Sequence, residues 1–214
     1  MSLYDSYDEF HRAKLACREC PLWKHHKRVV GSEGNTVDPT VVIVGEAPGA
    51  DEVRRRRPFV GRAGQVLRRA MRPYGYNKLN TLVTNTIPCR PPQNCYPSDM
   101  SVVDECMGRW LWNELDLLKP KYVLLLGAKP LQALFRVEGI TKNRGTWFLL
   151  QRDGYRSECL PTYHPSYVMR VRNMRSGHQK VSEFLADLRE MAMTAGFLPE
   201  DAPSATEWHT DEDY

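Results

Sequence analysis

No apolar run in this chain approaches the roughly 20 residues that a membrane-spanning helix needs, which excludes a helical membrane protein. The opening stretch, MSLYDSYDEFHRAK, is charged and lacks the apolar core of a secretion signal, so the cytoplasm is the expected compartment. Cysteine is sparse, six in 214 residues, and in that compartment thiols point to metal or catalysis before disulfides. There is no internal repeat and no linker long enough to set off a second domain. Residues 1 to 199 are therefore expected to form one domain. Residues 200 to 214 hold six acids, no lysine and no arginine, without apolar periodicity. They read as an acidic, disordered tail.

What is present is a basic body. The formal +4 of the whole chain becomes +10 over residues 1 to 199 once the six tail acids are set aside. Such a charge suits a polyanion such as nucleic acid, although a well-solvated surface is the ordinary alternative. Hydrophobic residues make up 42%, enough for a sizeable core.

The apolar run Val41-Val42-Ile43-Val44 predicts a strand covered on both faces, and it breaks into Gly45-Glu46-Ala47-Pro48-Gly49. Residues 46 to 59 read as a loop. A helix is expected over 61 to 74, from Val66, Leu67, Ala70, Met71 and Tyr74 at helical spacing, with Gly75 as its stop. Strands follow at 81 to 86 and 122 to 126, with one long helix from Pro97 to Leu118 between them. After a helix at 127 to 135 come a hairpin turning at Arg152-Asp153-Gly154, a loop from Pro161 through the His164 region, and a closing amphipathic helix. This order predicts an α/β fold, a three-layer α/β/α sandwich with a mainly parallel central sheet.

Three segments would meet at the carboxyl end of that sheet, where open α/β folds bind ligands: 46 to 59, 85 to 90 and 164 to 170. They bring carboxylates, an aromatic ring, an amide and an imidazole. Taken singly, each has a plain structural reading: Glu46 a surface acid, Phe59 core, Asn85 a turn residue, His164 a satisfied loop histidine. The thiols are more specific. Cys17 and Cys20 form a CxxC, with Cys89 and Cys106 far downstream. Four thiolates are the ligand set of a [4Fe–4S] cluster or of a zinc site, which spacing cannot separate. Cys95 competes as fourth ligand, Cys106 also fits an apolar helix stripe, and Cys159 lies in a strand pattern and reads as core.

GEAPG with Glu52 downstream, PFVGRAG, Asn85 four residues before Cys89 in NTIPCRPP, HPS at His164, and the CxxC…C…C pattern together resemble the family 4, thermophile-type uracil-DNA glycosylases. The resemblance runs from Cys17 to about Leu188. It implies the superfamily fold, an iron–sulfur cluster on Cys17, Cys20, Cys89 and Cys106, and uracil flipped from DNA and hydrolysed off its sugar. On that reading Gly45 and Phe59 bind the base and Phe59 stacks on it. Asn85 reads its edge, and His164 supports charge on O2 as well as binding it. Glu46 and Glu52 are the catalytic acids, with roles undivided. Ser166, Arg170 and Arg62 would face DNA, single- or double-stranded. No lysine beside these motifs suggests a nucleophile, so hydrolysis without strand cleavage is expected, by a monomer. The departures are Arg54 to Arg57, Cys95 after CRPPQN, and a long basic stretch over 170 to 178. The alternatives are a catalytically silent DNA-binding or replication-partner protein that retains fold and cluster, and a zinc enzyme on another nucleotide.

Overall fold

The computed structural model describes residues 3 to 26 and 28 to 198; the tail expected at 200 to 214 lies outside them. Ser6 caps helix α1 (Tyr7–Ala16) by accepting the Glu9 N–H. A short α2 (Pro21–His26) and a two-residue β1 (Glu33–Gly34) precede β2 (Val41–Gly45). The stretch predicted as loop after β2 contains helix α3 (Ala50–Arg55), steadied by Glu52 bonding back to the Gly49 N–H. Helix α4 (Arg62–Met71) runs on through a tighter turn at Arg72–Tyr74 and stops at Gly75, where φ is 79°. Strand β3 (Thr81–Asn85) follows.

The single helix predicted from Pro97 is two. Asp99, expected inside the first turn, is instead the cap of α5 (Met100–Arg109) and accepts the Ser101 N–H. The backbone then turns at the buried Trp110 (φ −120°, ψ −62°) into α6 (Leu111–Leu118). Strand β4 (Tyr122–Leu126), α7 (Ala128–Phe135) and a short α8 (Ile140–Asn143) lead to the hairpin of β5 (Phe148–Arg152) and β6 (Tyr155–Thr162). Gly154 supplies the positive φ, 84°, that the two-residue turn requires. The HPS segment, predicted as loop, begins helix α9 (Pro165–Val171), and α10 (Gly177–Thr194) closes the fold.

The sheet order is β1-β3-β2-β4-β6-β5. The four inner strands are parallel; β1 and β5 are antiparallel edges. Alternation along β2 sends Val42 and Val44 to one apolar layer, with α1, α5, α6 and α7, and Val41 and Ile43 to the other, with α4, α9 and α10. Burial on both faces explains the unbroken apolar run and makes the sandwich three-layered, as the sequence predicts. From β2 the chain moves outward to β3, then returns past β2 to β4. The crevice between β2 and β4 is therefore the point where strand order reverses.

One polar group inside the first layer escapes apolar-face reasoning. The Lys14 ammonium, 1% exposed, donates to the Glu114 carboxylate at 2.9 Å and to Ser32 and Thr84. Tyr7 and Thr84 donate to Glu114 in turn. Each buried charge is tolerated because the other partners are in place. The group fastens α1 and α6 to β3 one residue before Asn85. Among the described residues no helix is long and apolar enough to cross a membrane.

Candidate active site

A cavity of about 460 Å³ opens at the carboxyl ends of the parallel strands. Its lining brings together Glu46, Glu52, Phe59, Asn85, His164, Ser166 and Arg170. Register sets Gly45 and Asn85 side by side as the last residues of β2 and β3. A Cβ at Gly45 would lie 2.4 Å from the Phe59 ring and 2.5 Å from the Asn85 carbonyl oxygen. Glycine is thus required there, because the ring and the amide both close onto the strand end.

Phe59 is 7% exposed and has φ of 52°, a conformation costly for an aromatic residue. It is held from two sides. Arg68 donates to the Phe59 carbonyl at 3.2 Å and to that of Pro58 at 3.4 Å. Glu52 receives the Val60 and Gly61 N–H groups on one carboxylate oxygen at 2.9 and 2.7 Å, and the Gly49 N–H on the other at 3.1 Å. The Glu52 carboxylate therefore ties both ends of its own segment together. The Phe59 ring centroid lies 6.3 Å from that of His164.

Asn85 is 6% exposed, and its carbonyl oxygen is buried with no hydrogen-bond partner. An unsatisfied buried acceptor costs about 1–3 kcal/mol, so this atom is poised for a donor that arrives with a ligand. Glu46 is half-buried, and its carboxylate has no hydrogen bond among the described residues. Burial raises its pKa, opposed by the Lys129 and Arg170 cations.

His164 caps α9. Its Nδ1 accepts the Ser166 N–H at 3.1 Å and lies 2.7 Å from the Ser166 hydroxyl, to which Arg170 donates at 3.4 Å. With Nδ1 occupied as an acceptor, the proton of the neutral ring resides on Nε2. Burial first, and then the Arg170 cation, push the His164 pKa down from 6.5 to about 4. The ring is a neutral donor at physiological pH. In the unfolded chain it protonates first as pH falls. On this group's account stability is intact above about 6.5 and is lost progressively toward pH 4. The expected pH profile of activity shows no ionisation of His164 between pH 5 and 8; a 15N-histidine titration placing it near 6.5 contradicts the geometry.

Arg62, predicted to face DNA, is exposed at the first position of α4 and is not part of the cavity lining. Of the Arg54 to Arg57 run, Arg54 pairs with Asp51 at 2.6 Å and Arg57 grips Glu33 with two bonds of 2.9 and 2.7 Å. Arg55 and Arg56 are exposed and make no ion pair among the described residues. Sequence reasoning missed two contributors. Lys129, in the first turn of α7, projects its field onto Glu46, and Asn94 with Pro91 joins the cavity lining. The glycine-ended strand at Gly127, matching Gly45, was the available signal for the lysine.

Cys20, Cys89 and Cys106 lie in one apolar layer, with Cys17 packed against it. Cys20, Cys89 and Cys106 are buried and Cys17 is partly so. Burial, then Cys20 and Cys17, push the Cys89 thiol up to about 12, and Cys106 is raised by burial and by the same group. Cys95 is exposed, 3.8 Å from the Gln93 carbonyl. Cys159 is fully buried on β6 as core. Among the described residues no three His, Cys, Asp or Glu side chains converge at the spacing of a single ion.

A ring, an unpaired amide oxygen and a neutral imidazole N–H meet in one cavity at the carboxyl ends of the parallel strands. The fold that carries it is that of the uracil DNA glycosylase superfamily, whose family model matches residues 32–189. The type-4 uracil-DNA glycosylase of Pyrobaculum aerophilum is 37% identical over 177 residues, covering 80% of this chain and 89% of that protein. The type-4 enzyme of Thermotoga maritima is 36% identical over 164 residues, 73% of this chain and 80% of its own. That of Archaeoglobus fulgidus is 30% identical over 189 residues, 86% and 94%. The chain belongs to the type-4 uracil-DNA glycosylase family.

Proposed function

We infer that this protein is a uracil-DNA glycosylase, a monofunctional hydrolase that flips uracil out of DNA, cuts its N-glycosidic bond and starts base-excision repair. The observation that carries the reading is the buried, unpartnered Asn85 carbonyl oxygen, which closes onto Gly45 together with the Phe59 ring. An enzyme acting on a base must extrude it from the stack and read its edge. Phe59 stacks on the ring. The Asn85 oxygen accepts uracil N3–H, and its NH₂ donates to O4. Cytosine presents the reverse order, leaving like groups opposed at about 1–3 kcal/mol each.

As the C1′–N1 bond breaks, its electron pair leaves with the base and the sugar becomes cationic. His164 Nε2–H donates to O2, where that charge gathers; preorganised donors of this kind are worth about 3–4 kcal/mol. Glu46, with its carboxylate free, faces the cationic sugar and orients the water that adds to C1′. Glu52, with both oxygens engaged, positions Phe59 instead. Ser166 and Arg170 lie where the DNA strand enters, and Arg62, Arg55 and Arg56 offer phosphate contacts around the mouth.

Cys17, Cys20, Cys89 and Cys106 fit a [4Fe–4S] cluster. Their thiols share one apolar layer and are mostly buried where ionisation is penalised, and a metal centre would reverse that penalty. Held by these four cysteines, such a cluster would tie the end of α1 and helix α5 to the segment after β3. Purified protein is expected to be brown with broad visible absorption; colourless protein with stoichiometric zinc sinks the cluster assignment. The activity is tested on single-stranded, U·G and U·A oligonucleotides, followed by alkali. Strand breaks at uracil are expected with cluster-loaded protein. Their absence on all three substrates defeats the inference.

A further inference from the structure

Phe59 also lines a second cavity, of about 240 Å³, between α4 and the β1–β3 edge. Leu67, Met71, Tyr76 and Val83 give it apolar walls. Gly34 forms part of its lining at φ 133°, where a Cβ would strike the Thr81 carbonyl at 2.1 Å. Its charges do not balance. Glu33 is the single acid of the lining, and it already serves Arg57 at 2.7 Å, Lys78 at 3.1 Å and Arg68 at 3.8 Å. Arg72 joins the rim with no ion pair among the described residues. An apolar slot under surplus cations matches a ligand that is flat and apolar at one end and anionic at the other.

We propose that this cavity is a second ligand site for a planar ring bearing an anionic group, of the nucleoside 5′-monophosphate class, and that its occupant acts on the uracil pocket through Phe59. The ring lies against Leu67 and Met71, and the phosphate meets Arg72, Lys78 and Arg68. Arg68 is the link, because the same guanidinium holds the Phe59 and Pro58 carbonyls. Drawn toward a phosphate, it releases one of the two restraints on the stacking ring, so occupancy weakens uracil binding. Ligand capture stands independently of the uracil reading; the effect on excision rests on it.

The test is calorimetric titration of the full chain with thymidine 5′-monophosphate, thymidine and inorganic phosphate. The nucleotide is expected to bind at least tenfold more tightly than either fragment. Asn85→Ala should keep that affinity, Arg72→Glu should lose it at least tenfold, and Arg72→Lys should retain most of it. In wild-type protein, saturating nucleotide should raise KM for a uracil oligonucleotide with little change in kcat. Phosphate binding as tightly as the nucleotide overturns the site, as does absence of binding at millimolar concentration. Binding abolished by Asn85→Ala and intact in Arg72→Glu overturns it too, because the ligand then occupies the uracil pocket.

Discussion

Asn85→Ala is expected to lower kcat/KM for uracil by about 10²-fold or more while leaving the folded protein no less stable, since two base contacts of about 1–3 kcal/mol each are lost. The two halves of this result have one cause. In the free protein the Asn85 oxygen is buried and unpaired, so its removal relieves a cost. With uracil bound, the same atom meets N3–H and the NH₂ meets O4, and truncation leaves both base groups facing nothing. Asn85→Asp gives the sharper outcome. A carboxylate only accepts, so it opposes uracil O4 and welcomes the cytosine amino group. Uracil excision should fall, and a trace of cytosine excision should appear. Each is measured by alkali cleavage of single-stranded oligonucleotides carrying one target base. Unchanged selectivity in Asn85→Asp refutes edge reading by this residue.

Much of this site was legible before the fold was known, and the limits are physical. The four-residue apolar run at Val41 and the strand at Thr81 end in Gly45 and Asn85, and sheet registry makes them neighbours. Chain order alone therefore predicts that they share a pocket. Helix α3 was hidden because its only buried residue is Val53; no apolar stripe announces it, and Arg54 to Arg57 reads as a solvated run. The break at Trp110 was hidden for the opposite reason, since apolar residues continue through it without a proline, and Gly108 lies inside the last turn of α5. Lys14 was unreadable because its partners come from three other parts of the chain. Glu52 shows the same limit at the site itself. Sequence supplies a carboxylate; whether it faces water or three backbone N–H groups depends on how Gly49, Val60 and Gly61 fold around it.

The division of labour between the two acids yields the second large prediction, a crossed pair of phenotypes. Glu46→Gln should cut kcat by about 10²- to 10³-fold with KM little changed, because a carboxylate facing a cationic sugar acts mainly in the transition state. The same change should stabilise the protein. Burial raises the Glu46 pKa in the folded state, so the ionised form penalises the fold above that pKa, and a neutral amide avoids the penalty. The acid limb of the activity profile should lie above the ordinary 4.5 of a glutamate and should vanish in Glu46→Gln. Glu52→Gln should do the reverse. Its amide NH₂ must confront at least one of the Gly49, Val60 or Gly61 N–H groups, at a cost of about 1–3 kcal/mol. For a chain of this size that lowers the melting temperature by roughly 2–4 °C per kcal/mol. With the restraint gone, the Phe59 backbone relaxes from its positive φ and the ring leaves its place over Gly45, so KM rises more than kcat falls. Melting curves and steady-state kinetics on both variants separate the cases. A Glu52→Gln protein that melts as wild type does and loses kcat alone would reverse the assignment, making Glu52 the acid at the sugar and Glu46 its neighbour.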